Sequence, residues 1–222
     1  MNRRLAVFAI AIACAMPYRA MAADAPSAPL SANEKQFVAK ISADLAKRYP
    51  TPASAEKAGY HRFTVEDTSG AISYANLAWQ SSDPSVPAEL WYDVKGRLLG
   101  ADYTVLMATS PTPPSLFGVD PSRFHKSNAH IHYVVRNADG SFTYSKAVGV
   151  KAYADTGLDA TKPTADGLVK LGRVKSPSEV AFVGLWPATW DMSVWVIPNP
   201  KGAFEDLNPN VIPTKDAQKD AG

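Results

Sequence analysis

The segment "AELWYDVKGRLLGADYTVLM", residues 88–107, contains two apolar stretches separated by Lys95 and Gly96. A lysine-glycine pair between two such stretches predicts a tight β-hairpin. Further along the chain, "AHIHYVV" and "SFTYSKAVGV" flank the turn sequence "RNADG", which predicts a second hairpin. The stretches "EVAFVGL" and "WDMSVWVI" follow, separated by "WPAT". This order of strands and turns predicts an antiparallel β-sheet, curled into a barrel or a two-layer sandwich.

Two helices are predicted before these strands. Ser31 and Glu34 have the spacing of a capping box, and apolar residues then recur at helical intervals, which predicts a long helix over 32–48. Thr51 caps a short second helix that has proline at its first position and ends before Gly59. The predicted fold class is therefore α+β, with one long and one short N-terminal helix packed against the antiparallel sheet.

The first residues have the pattern of a signal peptide. Two arginines precede an apolar run over residues 5–16, and a small-x-small triplet ends at Ala22. That run is shorter than the ~20 apolar residues that span a bilayer, and no later stretch approaches this length. We therefore expect a signal peptide over 1–22, a flexible leader over 23–30 and a soluble periplasmic or secreted protein without a transmembrane segment. The two arginines leave export through the twin-arginine route open as an alternative to the ordinary secretion route.

Cys14 is the only cysteine in the chain. Its lipidation is a second alternative to cleavage after Ala22. Cleavage after Ala22 leaves no thiol, which excludes disulfides, cysteine nucleophiles and thiolate ligands. The same cleavage removes three arginines and no acidic residue, so 23 basic residues fall to 20 against 21 acidic ones. Such a balance gives no reason to expect nucleic acid as a partner. We expect a single α+β domain over 31–213 and a disordered tail over 214–222.

Three of the four histidines, His125, His130 and His132, lie within eight residues. Side chains alternate along a strand, so His130 and His132 share one face about 6.6 Å apart in rise. His125 lies in the preceding loop and could fold back as a third ligand. Nitrogen ligands without thiolate favour zinc or copper. The predicted metal ligands are thus these three histidines, and oxygen or sulfur could come from Asp191, Asp102, Met107 or Met192.

Other interpretations of the same residues stay open. The histidines could serve a site that holds no metal, or they could be an exposed polar strand without function. A barrel that binds a small apolar or sugar-like molecule is an alternative, with Asp191 and Trp195 as candidate lining residues. A third alternative is an envelope interaction domain without any small-molecule site. Whether the chain is an enzyme is left open, and the sequence lacks the usual motifs of hydrolases, kinases and nucleotide-binding proteins.

The segment "NPKGAFEDLNPNV" predicts a turn, because Asn and Pro favour turn geometry and Gly202 permits a positive φ. It also fits a spaced pattern N-P-x-G-x-F-x-x-x-N-P. With "ELWYDVKGRLLGADY" and "SLFG", this segment resembles a group of uncharacterised bacterial secreted proteins across residues 88–211. The resemblance implies a shared fold and export. It implies no functional residue, since the group has no settled activity and its members often have histidine where Ser193 stands here.

Overall fold

A computed structural model describes residues 28–76 and 83–218. The predicted signal peptide lies outside the described residues, as do most of the leader and the last four residues. The helices in the described part are α1 (Ala32–Arg48), α2 (Pro52–Lys57), α3 (Val150–Ala154) and α4 (Ala165–Lys170). The strands there are β1 (His61–Arg62), β2 (Ile72–Ala75), β3 (Glu89–Tyr92), β4 (Leu98–Leu106), β5 (His125–Ser127), β6 (His130–Arg136), β7 (Phe142–Gly149), β8 (Val180–Trp186) and β9 (Thr189–Trp195).

Both N-terminal helices begin at the predicted caps. Ser31 and Glu34 form the capping box: the backbone N–H of Ser31 lies 2.8 Å from the Glu34 carboxylate, and the Glu34 N–H lies 3.2 Å from Ser31 Oγ. Helix α1 has the predicted bounds of 32–48. Thr51 caps α2, and Gly59 follows it with a φ of 92°. The prediction of one long and one short helix is confirmed.

The larger sheet contains six strands in the order β1-β2-β3-β4-β9-β5, and every neighbouring pair is antiparallel. The predicted hairpin at Lys95 and Gly96 joins β3 to β4. Helix α1 packs on one face of this sheet through Phe37, Ile41 and Leu45. The opposite face of the sheet is therefore turned away from α1.

The smaller sheet contains three antiparallel strands in the order β7-β6-β8, and the predicted hairpin at "RNADG" joins β6 to β7. Ile131 and Val148 of this sheet pack with Tyr153 of α3 and Leu168 of α4. The α+β prediction is therefore confirmed at the level of two antiparallel sheets with few helices. Neither sheet closes into a barrel within residues 28–76 and 83–218.

The two sheets are joined by a bent ribbon, which we define as β5–β6 paired with β8–β9. Ser127 pairs with Thr189 in the larger sheet, and His130 pairs with Trp186 in the smaller one. Three positions separate these pairs on each strand, so the pairing register continues across the bend. Each strand passes from one sheet to the other through two residues only, which is the corner geometry that sheet-switching strands adopt.

The C-terminal segment is a turn, as predicted, and it packs on the end of β9. The backbone N–H of Trp195 donates to the carbonyl of Ala203 at 2.8 Å, and the Asn208 side chain donates to the carbonyl of Pro198 at 3.1 Å. Asn208 and Phe204 are buried. The turn therefore closes back onto the larger sheet.

Residues 214–218, which the sequence places in a disordered tail, are held against the loop that precedes β2. The Thr214 N–H donates to the Glu66 carboxylate at 2.9 Å, and the Gln218 N–H donates to the Glu66 carbonyl at 2.9 Å. The Thr214 hydroxyl donates to the same carboxylate. The polar composition of this segment gave no sign that a buried glutamate would bind it.

Candidate functional site

The imidazoles of His130 and His132 meet on one face of β6, as strand alternation predicts. Their Nε2 atoms lie 2.7 Å apart, and Nδ1 of His130 lies 2.7 Å from the carbonyl oxygen of Asn128. A carbonyl only accepts, so Nδ1 of a neutral His130 carries the hydrogen and its Nε2 has the lone pair. His132 must then supply the hydrogen that lies between the two Nε2 atoms. The pair is a hydrogen-bonded dyad when both rings are neutral.

His132 is the buried member of the dyad. Its exposed fraction is 9%, and its Nδ1 makes no hydrogen bond within the described part of the chain. Burial, together with the neighbouring His130 ring, lowers the pKa of His132 to about 3. His132 is therefore neutral over the whole range near physiological pH.

His132 also lines a cavity of about 600 Å³ between the edge of the larger sheet and the face of the smaller one. The wall is mostly apolar and aromatic. Three charged or titratable side chains, Glu56, His61 and Arg62, lie along the wall as well. The residues that complete it are Phe63, Ala75, Val134, Phe142, Tyr144, Ala181, Phe182, Gly184 and Trp186.

Aromatic rings connect the dyad to the cavity. Phe63 meets the His132 ring edge to face at 5.1 Å, and Phe63 and Trp186 are stacked at 6.3 Å with an angle of 22°. Trp186 in turn stacks with His130 at 6.4 Å and 18°. Packing around both imidazoles therefore fixes their orientation. Phe63 and Trp186 both line the cavity as well.

His125 is separated from the dyad by the bend of the ribbon. It lies in β5 of the larger sheet, opposite Asp191 of β9, whereas His130 and His132 lie in the smaller sheet. Over residues 28–76 and 83–218, no group of three or more His, Cys, Asp or Glu side chains is placed to hold a metal ion. Met192 is fully buried in the core beneath α1, on the face of β9 opposite to Asp191. The structure thus brings together two of the three predicted histidines.

Asp102 and Asp191 form a second polar cluster, on the face of the larger sheet turned away from α1. Asp102 pairs with Ser193, and Thr104 pairs with Asp191, so the two carboxylates are diagonal neighbours on β4 and β9. The Ser193 hydroxyl donates to Oδ1 of Asp102 at 2.6 Å. Oδ1 of Asp191 is buried and has no hydrogen-bond partner among the described residues. We call these two residues the aspartate pair.

Both carboxylates of the aspartate pair hold protons more tightly than ordinary ones. Burial, together with the nearby Asp191 charge, raises the pKa of Asp102 to about 7 against a hydrogen bond from Ser193 that lowers it. Burial also raises the pKa of Asp191 to about 6, against hydrogen bonds with Thr189 and Ser127. Two like charges this close on a covered sheet face disfavour each other, so at least one member is protonated near pH 6.

Trp195, a predicted lining residue, lies in a packed cluster and not in the wall of the cavity. It is 2% exposed, its indole N–H donates to the Glu205 carbonyl at 2.6 Å, and its ring meets Trp91 edge to face at 5.6 Å. The tryptophan that does line the cavity is Trp186. Sequence reasoning did not identify Phe63 or Arg62 as site residues, because the segments that carry them are distant in sequence from Trp186 and meet it only in the folded chain.

Comparisons with known proteins give no match from which a function could be transferred. A scan against protein-family models, a search of curated proteins and a search of solved structures each find no match to this chain. Among the helices of the described residues, none combines the length and the apolar character needed to cross a membrane. The function is therefore argued from the geometry of the cavity and of the two polar clusters.

Proposed function

We propose that this protein binds a small, largely apolar molecule in the cavity between its two sheets. One observation carries the proposal: an aromatic cavity of about 600 Å³ with a buried neutral imidazole, His132, in its wall. Ligand cavities typically measure roughly 300–1,000 Å³ and are apolar with a few polar groups. Protein interiors leave few voids larger than a water molecule, so a cavity of this size is suited to an occupant. Residues from both sheets line this cavity, which supports the interpretation that the two sheets stack on each other as a sandwich.

A neutral fluorescent probe, N-phenyl-1-naphthylamine, tests this proposal. We expect its fluorescence to rise on binding, with saturation at micromolar protein. Ala181 lies at an exposed position of the cavity wall, so Ala181→Trp should block the mouth and weaken binding at least tenfold. Ala152→Trp makes the same change at an exposed position of α3 that does not line the cavity, and it should bind like the native chain. Equal binding by both variants, or no binding by the native chain, would overturn the proposal.

A second candidate function is binding of zinc or copper by His130 and His132. The approach of their Nε2 atoms to 2.7 Å favours it. Zinc–nitrogen bonds of ~2.0–2.1 Å at a tetrahedral angle place two ligand atoms about 3.4 Å apart, so a small opening of the dyad would admit an ion. The hydrogen bond from His130 Nδ1 to Asn128 is the kind of contact that orients a ligating histidine. Water or the molecule in the cavity would fill the other positions.

Calorimetric titration with zinc and with copper(II) at pH 7.5 and pH 5.5 tests the metal candidate. Binding should be strong only at the higher pH, because protons compete for the ligating nitrogens. Replacing both His130 and His132 by Ala should abolish it. His125→Ala is the control for loss of any one histidine and should leave binding unchanged, because His125 lies in the larger sheet beyond the bend. If the double variant binds as tightly as the native chain, the metal candidate is wrong.

We also infer that the chain is exported, with cleavage after Ala22. The arginine-led apolar run and the small-x-small triplet that ends at Ala22 support this inference. Expression of the full chain in a Gram-negative host should yield a periplasmic product whose first residue is Ala23. N-terminal sequencing measures this directly. A product that retains Met1 or begins at Cys14 would contradict it.

A further inference from the structure

Arg62 is the one cationic lysine or arginine side chain in the described wall of the cavity. Its Nε donates to the carbonyl of Thr64 at 2.9 Å, and its guanidinium carbon lies 4.5 Å from the centre of the Tyr144 ring. These two contacts hold the guanidinium plane in place. Stacking on an aromatic ring leaves the edge of the fork, with its Nη hydrogens, as the part that can donate.

The charge of Arg62 is not neutralised by a carboxylate. Within the described chain, no Asp or Glu oxygen lies within 4.0 Å of its nitrogens, and its hydrogen bonding there is limited to the Nε contact with Thr64. Arg62 is half-buried, so its guanidinium has lost part of its hydration without gaining an anionic partner in return. An anion that reaches the cavity wall would therefore meet an oriented, unpaired fork.

Resting on the proposed function of this cavity, we propose that its ligand is a small monocarboxylic acid with an aromatic body. The carboxylate accepts two parallel hydrogen bonds from the Arg62 fork, the geometry for which a guanidinium is suited. The aromatic body lies against Phe63 and Trp186 in the apolar part of the cavity. Glu56 supplies a negative charge along the same wall, and this charge disfavours a second carboxylate on the ligand.

Displacement of N-phenyl-1-naphthylamine by trans-cinnamate and by cinnamamide tests the ligand class, because the two compounds have the same body and differ in charge. We expect the acid to bind at least tenfold more tightly than the amide. Arg62→Gln should remove this preference by weakening the acid and leaving the amide unchanged. Arg62→Lys should keep part of the preference, since it keeps the charge and loses the fork. Arg173→Gln, which changes an exposed arginine that does not line the cavity, is the control and should not weaken the acid.

The outcomes separate this inference from the proposed function. If the probe binds but acid and amide compete equally, or neither competes, the ligand class is wrong and the cavity proposal stands. The ligand class is also wrong if Arg62→Gln retains the native preference for the acid. If the probe itself does not bind, the cavity proposal fails first. Arg62→Gln is compared with the native chain by melting temperature, and Arg62→Lys gives the answer should the glutamine variant unfold.

Discussion

The histidine dyad and the aspartate pair are two clusters of titratable groups in which burial disfavours a charge, positive in one cluster and negative in the other. His130 and His132 stand two residues apart on one strand, and they contact each other directly at 2.7 Å. Asp102 and Asp191 stand on neighbouring strands, and Ser193 binds one of them. Burial lowers the pKa of His132 and raises that of both aspartates. The same physical cause therefore produces opposite dependences of stability on pH.

The direction of each pH dependence is set by whether the folded or the unfolded chain binds more protons. Between pH 3 and pH 6.5 the unfolded chain protonates His132 and the folded chain does not, so the free energy of unfolding falls as pH falls. Between pH 3.8 and about pH 7 the folded chain protonates Asp102 more than the unfolded chain does, so the free energy of unfolding falls as pH rises. The two clusters oppose each other between about pH 4 and pH 6.5.

Removing the titration of His132 should have one of the two largest effects. His132→Leu keeps a buried apolar side chain and should abolish a loss of roughly 3 kcal/mol in the free energy of unfolding between pH 6.5 and pH 4. Urea unfolding at a series of pH values, with a chelator present, measures this slope. His61→Leu removes an exposed histidine and is the matched control. Identical slopes for His132→Leu and the native chain would contradict the assignment of the acid sensitivity to the dyad.

Removing the titration of Asp102 should have an effect of similar size in the opposite direction. Asp102→Asn should raise the free energy of unfolding at pH 8 by up to about 4 kcal/mol, because the folded chain no longer holds a buried charge there. At pH 4 the native side chain is already neutral when folded, so the gain should vanish. Asp139→Asn changes an exposed turn aspartate and should give no gain at pH 8. A gain that does not depend on pH would show that charge is not its cause.

Removing the hydrogen bond to the aspartate pair should have the smallest effect. Ser193→Ala deletes the hydroxyl that donates to Asp102, at a cost of about 1 kcal/mol. The cost should be greater at pH 8 than at pH 5, because a donor stabilises a carboxylate more than a carboxylic acid. Ser178→Ala, which changes an exposed serine whose hydroxyl contacts the Ser176 side chain, is the control. Equal costs at both pH values would mean that Asp102 does not change its charge in this range.

Local patterns predicted much of the fold. The capping box at Ser31, the Lys95–Gly96 turn and the alternation of His130 and His132 each depend on residues a few positions apart, and each is found in the structure. The dyad was predictable for this reason. Its role as a metal site stays a prediction, as does the resemblance to secreted bacterial proteins.

Pairings between distant segments were not predictable. Asp102 and Asp191 meet because β4 pairs with β9, and nothing near either residue indicates that pairing. His125 is near the dyad in sequence but belongs to the other sheet, because the ribbon bends between Ser127 and His130. The cavity was missed for the same reason, since its wall combines residues of α2, β1, β2, β6, β7 and β8. Spacing in the sequence predicts distances along a strand, but it does not predict where a strand bends from one sheet into the other.

The bent ribbon also fixes the order in which a growing chain can fold. Residues 180–195 supply the partner of β5, one partner of β6 and one partner of β4. A nascent chain that ends before residue 180 therefore lacks an essential strand in both sheets, although it already contains α1 and the first seven strands. Contacts between segments so distant in sequence slow folding, because a long loop must close before they form. Both sheets, the cavity and the aspartate pair are completed in one late step, when β8 and β9 arrive.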